Sequence, residues 1–195
     1  MVNMSGPAGR VRRVNNGVLH ADAVRLVTAW EPTTARTELI RDQFLALLAG
    51  APGAARRDHP GAHLTASVLV VHPDREQLLF CLHGRVNKWL QLGGHLEDGD
   101  RDILDAARRE AREESGLDLD FHPAPVDLDV HPVPCRYGPA LHYDIRFVGV
   151  ARPGAVPRVS DESRDLRWFP VGALPEPRGS DTDRLIEAAL ATVRH

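Results

Sequence analysis

The acidic residues between Asp102 and Gly116 are the first candidates for chemistry in this sequence. Five carboxylates fall within these fifteen positions, and three of them, Glu110, Glu113 and Glu114, lie within five positions of one another. Like charges three or four residues apart on a helix repel by about 0.2–0.5 kcal/mol per pair. Such a cluster calls for compensating cations, which neighbouring arginines or divalent metal ions could supply.

The helical phase of these glutamates decides which way they point. At about 100° per residue, Glu110 and Glu114 fall within about 20° of Ile103, which opens a narrow apolar stripe, and Glu113 falls at its edge. The carboxylates therefore border the buried face of the helix. Three carboxylates from adjacent turns form a hard-oxygen site of the kind that binds Mg²⁺ or Mn²⁺. A solvated acidic face with arginine partners is an equal alternative on these grounds.

The residues that flank the cluster predict the boundaries of its helix. Asp102 is a suitable N-cap, with Asp105 three residues later, and Gly116 is a suitable residue to end the helix. We therefore predict a helix over residues 103–115. The preceding pair Gly93-Gly94 permits a close backbone approach and leaves carbonyl groups available to a cation.

This segment resembles the signature of the Nudix hydrolases, G-x5-E-x7-R-E-U-x-E-E-x-G-U, in which U is aliphatic. Gly94 opens the match, and the second half of the signature is matched in order by Arg109, Glu110, Ala111, Glu113, Glu114, Gly116 and Leu117. The sequence departs from the pattern twice. Asp100 stands at the position of the first glutamate, and the run from Asp100 to Arg109 is one residue longer. Whether Asp100 still reaches Arg109 is therefore left open.

The resemblance implies roles for these residues. Glu110 and Glu114 are the implied principal ligands of Mg²⁺ or Mn²⁺, with Glu113 assisting and the Gly94 carbonyl as a further ligand. Arg109 is implied to orient the carboxylates through charge-assisted hydrogen bonds. Glu113 or Glu114 is the favoured general base.

Further candidates for the substrate pocket lie outside the glutamate cluster: Arg85, Lys88, His95, His142 and Glu162. The two basic residues could meet phosphates, and surface charge is the equal alternative. His142 alternates with Asp144 on one predicted strand face, with His131 on the neighbouring strand; a hydrogen-bonded histidine and its partner is the structural alternative. Glu162 is also an outside candidate for the general base, although a solvated loop acid is the more common case.

The resemblance implies hydrolysis of a pyrophosphate bond in a nucleoside diphosphate linked to another moiety. An all-carboxylate site would repel such an anionic substrate unless metal ions intervene. A Nudix-like module that senses a nucleotide without hydrolysing it is the main alternative. An isoprenoid-diphosphate isomerase-like enzyme is a third reading. It requires a reactive cysteine, and neither Cys81 nor Cys135 can be placed at the site from sequence.

The rest of the sequence predicts the elements that position these residues. Helical periodicity runs through 35–49, and strands are predicted within 64–84 and at 126–133, 141–151 and 164–171. Asp181 or Ser180 is expected to cap a C-terminal helix. We expect an α/β fold, a Nudix-type α/β/α sandwich with a mixed sheet, plus an N-terminal helical extension.

The predicted organisation is a flexible arm at 1–17, a helical extension packed on the domain at 18–62 and the hydrolase domain at 63–195. The extension could cap the domain, shape the pocket or supply a homodimer contact. With a net charge of −3 and no long apolar segment, the 195-residue chain is not expected to bind DNA or a membrane. Two cysteines and no secretory signal favour a cytoplasmic protein. The resemblance implies that its partner is a small nucleotide-diphosphate substrate.

Overall fold

A computed structural model describes residues 16–135, 138–161, 163–179 and 181–194. Most of the predicted N-terminal arm, Glu162 and Ser180 lie outside these residues. Asn16 and Gly17, the last two residues of the predicted arm, belong to the first helix.

The described elements include each long helix and strand that the sequence predicts. In chain order they are α1 (Asn16–Ala29), α2 (Ala35–Gly50), a 3₁₀ helix (Pro52–Ala55), β1 (Ala62–Val71), β2 (Gln77–His83), β3 (Trp89–Leu90), β4 (Leu92–His95), α3 (Ile103–Ser115), β5 (Leu119–Phe121), β6 (Asp127–Cys135), β7 (Gly138–Ala151), β8 (Ser163–Pro170) and α4 (Thr182–Val193). The short strands β3, β4 and β5 were not predicted as strands, because two to four residues carry too little periodicity.

The sheet is mixed, as predicted, and has eight strands. Its centre is the parallel pair of β1 and β7, which runs in register from Ala62 opposite Leu141 to Val71 opposite Val150. The other pairings are antiparallel: β4 and β2 with β1, β5 and β6 with β7, and β3 and β8 with β2.

The two faces of the sheet are covered by different helices. On β1, alternate residues such as Leu64 and Ala66 join a core shared with α1, α2 and α3. The intervening positions Leu69 and Val71 pack instead against α4. The molecule therefore has the expected α/β/α layering, and odd-numbered residues of β1 lie on the α4 face.

Helix α3 begins and ends where the sequence predicts. The Asp102 carboxylate accepts a hydrogen bond from the Asp105 N–H at 2.7 Å, and Gly116 adopts the left-handed conformation with φ of 68°. Ala107 and Ala111 are fully buried, so these small side chains let the helix lie close to the sheet.

The N-terminal helices contribute side chains to the same core as α3. Phe44 of α2 is fully buried and packs edge-on against Tyr143 of β7, with ring centroids 5.0 Å apart. On α1, Asp22 accepts a hydrogen bond from the Ile103 N–H at 3.0 Å, which places a carboxylate at the N-terminus of α3. The division into an extension and a domain, and any homodimer contact, stay predictions.

Helix α4 starts directly after Asp181, but this residue does not cap it through its side chain. Its carboxylate instead pairs with Arg36 at 2.5 Å and with Arg184 at 3.3 Å. Within the described ranges, no helix combines the length and hydropathy required to cross a bilayer.

Candidate active site

The three signature glutamates differ in their exposure on α3. Glu114 is buried, and the Glu110 side chain is 14% exposed, whereas the Glu113 side chain is 59% exposed. The alternative of a solvated acidic face therefore fits Glu113 alone. The other two carboxylates are directed towards the sheet, as the helical phase predicts.

The glycine pair of β4 makes room for these carboxylates. The Gly93 N–H donates a hydrogen bond to Glu114 Oε2 at 2.8 Å. A Cβ added to Gly94 would lie 2.6 Å from Glu110 Oε1, and one added to Gly93, whose φ is +154°, would lie 2.4 Å from Ser67 Cβ. Glycine at position 94 therefore leaves room for the Glu110 carboxylate, and glycine at position 93 lets β4 lie close to β1.

Arg109 connects the acidic residues around the start of α3. Its guanidinium donates two hydrogen bonds to Asp100, at 2.9 and 3.1 Å, and further bonds to the His95 carbonyl at 2.8 Å and to Glu110 Oε1 at 2.8 Å. The contact with Glu113 is longer, at 3.4 Å. Burial works to lower the pKa of Arg109, but its hydrogen bonds to the carboxylates of Asp100 and Glu110 raise it overall, so the cation is firmly held.

The two hydrogen bonds from Arg109 to Asp100 show how the chain accommodates its departure from the signature. The Asp100 carboxylate also accepts a hydrogen bond from the Glu97 N–H at 2.7 Å, which closes the turn on itself. Asp102 then caps α3, two residues after Asp100. The shorter acid thus still reaches Arg109.

The charge balance of the cluster is negative. Burial raises the pKa of Glu110; the hydrogen bond from Arg109 opposes this shift, and the charges of Glu113 and Glu97 add to it. One guanidinium is shared among several carboxylates, which leaves them short of positive charge.

Cys81 lies close enough to Glu114 for the carboxylate charge to raise the pKa of its thiol. Burial and, secondly, this charge raise the pKa of the Cys81 thiol to about 12. The thiol is fully buried and protonated at neutral pH, so it is not a reactive nucleophile. This removes one of the two cysteines that the isomerase-like reading could use; the side chain of Cys135 lies outside the described residues.

A family profile for the NUDIX domain matches residues 61–189, from the start of β1 into α4. This chain belongs to the Nudix family. It is a Nudix hydrolase, in agreement with the resemblance of the signature.

Solved structures of Nudix proteins share the fold of this hydrolase. A NUDIX-family hydrolase from Clostridium perfringens is 23% identical, with a TM-score of 0.55, over 67% of this chain and 97% of its own. An Ap4A hydrolase from C. elegans, in a binary complex, is 15% identical with a TM-score of 0.53 over 67% and 97% of the chains. The NUDIX domain of Shewanella oneidensis NrtR, complexed with ADP ribose, is 14% identical with a TM-score of 0.53 over 76% and 97%. No curated protein matches the chain.

The predicted pocket residues divide into two groups. His95 and His142 come together with His63, which was not predicted, so that one ligand atom from each lies within 4.8 Å of the others. Arg85 and Lys88 are exposed in the turn between β2 and β3, where the Arg85 N–H donates to His83 Nδ1 at 3.2 Å. Roles for these residues in substrate binding stay predictions.

A network of ion pairs elsewhere in the molecule was not predicted from the sequence. It consists of Asp127, Asp129, Asp144, Arg146 and Arg184, on β6, β7 and α4. Each carboxylate accepts at least one guanidinium hydrogen bond, at 2.7–3.2 Å. The network lies on the α4 face, which is opposite the signature helix.

Proposed function

We propose that this Nudix hydrolase cleaves a pyrophosphate bond in a nucleoside diphosphate linked to another moiety. One observation carries the proposal: Glu110 and Glu114 both reach from α3 to the glycine strand, where Glu110 lies against Gly94 and Glu114 accepts a hydrogen bond from the Gly93 N–H. Such an arrangement has a cost in charge repulsion, and the hydrolysis of an anionic substrate gives a reason for it.

The donor set at this point fits Mg²⁺ or Mn²⁺. Glu110 and Glu114 would be the principal ligands, with Glu113 assisting and the Gly94 carbonyl as a further ligand, and all of these donors are hard oxygens. Divalent ions bound there would neutralise the diphosphate and lower the pKa of a bound water. The shortage of positive charge around the carboxylates is the electrostatic reason that a cation would bind.

The residues of the chain would divide the remaining tasks. Arg109 holds Glu110 in place and is itself fixed by Asp100, so it acts as a positioning residue for the carboxylates. The Gly93 N–H fixes Glu114. Glu113 is the favoured general base, because it is exposed to water and is held only by the 3.4 Å contact with Arg109.

The substrate class is tested by a hydrolysis panel with and without EDTA. The panel should contain ADP-ribose, dinucleoside polyphosphates, NADH, nucleoside triphosphates and sugar nucleotides. The first two merit priority, since structural relatives are an Ap4A hydrolase and a domain bound to ADP ribose. We expect turnover of at least one compound that stops with EDTA and returns with Mg²⁺. A folded protein that binds a member of the panel but hydrolyses none would favour the sensing alternative.

A further inference from the structure

Three histidines form a second cluster of potential ligands. They are His63, His95 and His142, called here the histidine triad. His63 and His142 are register partners on the parallel strands β1 and β7. His95, at the end of β4, pairs with Thr65, the next residue along the same face of β1. All three side chains therefore lie on the α4 face of the sheet, on the side opposite the glutamates of α3.

The triad has the dimensions of a small-cation site with nitrogen ligands. His63 Nε2 and His95 Nε2 are 3.1 Å apart, and one ligand atom from each of the three rings lies within 4.8 Å of the others. A tetrahedral Zn²⁺ ion with Zn–N distances of about 2.0–2.1 Å separates its ligand nitrogens by about 3.3–3.4 Å. These two nitrogens share a hydrogen bond in the structure; an ion that replaces it would need only modest ring rotations to reach all three rings.

The orientation of the rings also suits a shared ligand. The ring of His142 lies 4.8 Å from that of His63 and 5.0 Å from that of His95, centroid to centroid, with interplanar angles of 58° and 86°. Rings at such angles are not stacked, and they can direct one nitrogen each towards a common point. The fourth side is not closed by these three residues, which is the pattern of three protein ligands and an exchangeable fourth position.

The triad lies largely within the folded chain. His63 is 1% exposed, and the other two rings are half-buried. A ring nitrogen that carries no proton offers a lone pair, which is what a metal ion requires of an imidazole.

Neighbouring residues hold this region in place. His131 packs against His142 with ring centroids 5.6 Å apart, and its Nδ1 lies 2.8 Å from Asp129 Oδ2. Asp144 accepts hydrogen bonds from Thr65 and Ser67 on β1, so side-chain hydrogen bonds join β7 to β1 next to the triad. Rigid support of this kind is what a preorganised site needs.

From this geometry we propose that the histidine triad binds a transition-metal ion, Zn²⁺ by preference, at a site separate from the carboxylate cluster. The ligand chemistry separates the two sites. Imidazole nitrogens select Zn²⁺, Co²⁺ or Ni²⁺, whereas carboxylate and carbonyl oxygens select Mg²⁺ or Mn²⁺. The proposal does not depend on the substrate, and it would survive if the proposed hydrolysis failed.

Metal titration of the tag-free, EDTA-treated full-length protein tests the proposal. We expect one equivalent of Co²⁺ to bind with the visible absorption of a tetrahedral site, and Zn²⁺ to displace it. His142→Gln and His95→Gln should each weaken Zn²⁺ binding at least about 100-fold, since each removes a ligand. Glu114→Gln should leave it unchanged, and His122→Gln, which alters an exposed histidine elsewhere, serves as the matched control.

The titration is read only for variants with the wild-type circular dichroism spectrum and a cooperative melt. X-ray absorption at the zinc edge of the wild-type protein gives an answer that needs no variant, and it should show a shell of three imidazole nitrogens at about 2.0 Å. The proposal is overturned if the wild type binds no equivalent of Zn²⁺ or Co²⁺. It is equally overturned if binding is lost in Glu114→Gln and retained in His142→Gln.

Discussion

Two clusters of acidic residues on opposite faces of one sheet differ in how their charge is balanced. On the α4 face, Arg146 is buried and bonds to Asp127, Asp129 and Asp144, and Arg184 from α4 bonds to two of these carboxylates. The cations and anions of this network are nearly equal in number.

On the α3 face, Arg109 is shared among Asp100, Glu110 and Glu113, and two of its hydrogen bonds go to Asp100. Burial raises the pKa of Glu110. In the other cluster, burial raises the pKa of Asp129, but the hydrogen bond from His131 and the charges of the arginines lower it overall. Burial raises the pKa of Asp127 overall, as it does for Glu110, although both arginines oppose the shift. The number of cations per carboxylate, rather than the direction of the pKa shifts, therefore distinguishes the two clusters.

The two clusters contain two kinds of buried carboxylate, one that supports the fold and one that could bind a ligand. A carboxylate that the chain itself neutralises supports the fold, whereas a buried carboxylate left short of cations is a candidate for a ligand from outside. The two clusters should therefore respond in opposite ways to mutation, with losses of stability on one face and losses of activity on the other.

The largest effect is expected on activity, for Glu114→Gln. It removes a proposed metal ligand, so kcat/KM in Mg²⁺ should fall about 10³-fold or more, equivalent to about 4 kcal/mol. Stability should change by less than about 1 kcal/mol, because the glutamine oxygen can still accept the Gly93 N–H. Steady-state kinetics and thermal melts measure both. The matched control is Glu187→Gln, which makes the same change at an exposed position of α4. Near-normal turnover of Glu114→Gln would contradict the assignment.

The next effect is on stability, for Arg184→Met on the other face. Removing this arginine leaves Asp127 and Asp129 with one guanidinium between them, and should lower the free energy of unfolding by about 3 kcal/mol. Urea denaturation measures it. Arg36→Met, which breaks an exposed pair with Asp181, is the control and should cost less than about 1 kcal/mol. Equal losses in the two variants would mean that the buried network is not a structural unit.

Arg109→Lys should lower catalytic activity, but by less than Glu114→Gln does. Lysine cannot bond Asp100, Glu110 and the His95 carbonyl at once, so the carboxylates lose their common anchor. We expect kcat to fall about 10–100-fold, with a smaller change in KM. Arg112→Lys, on the exposed side of the same helix, is the control. A variant with wild-type kcat would show that Arg109 has no positioning role.

The smallest effect is a gain in stability, for Glu110→Gln in metal-free protein. The folded pKa of Glu110 is raised above its ordinary 4.5, so its ionised form destabilises the fold, and stability falls as the pH rises through that window. At pH 7 the glutamine should therefore stabilise by a few tenths of a kcal/mol, about the size of a like-charge pair. Thermal melts from pH 4 to 8 in EDTA measure it. The difference from wild type should shrink at the acid end; a constant difference would exclude the electrostatic explanation.

The parts of the site that the sequence predicts are those whose residues lie in one continuous segment of the chain. The phase of Glu110 and Glu114, the cap at Asp102 and the end at Gly116 all follow from spacing along a single helix. Whether Asp100 reaches Arg109 depended on the path of a turn, and only the folded chain answers it.

The histidine triad and the buried charge network could not be predicted in the same way. Their members come from β1, β4, β6, β7 and α4, and they meet only through strand register, as for His63 opposite His142. The alternation of His142 with Asp144 indicated a shared strand face, but nothing local to His63 indicated which strand would lie beside it. Long-range pairing of this kind is not encoded in the spacing of a single sequence.

The most direct test of the carboxylate cluster is the anomalous diffraction of crystals soaked in Mn²⁺. The account predicts a manganese peak about 2.2 Å from oxygens of Glu110 and Glu114 and beside the Gly94 carbonyl. If the soaked crystals show no manganese there, with Glu110 still bonded to Arg109 and Glu114 to the Gly93 N–H, the cluster is not a metal site and the central claim is wrong.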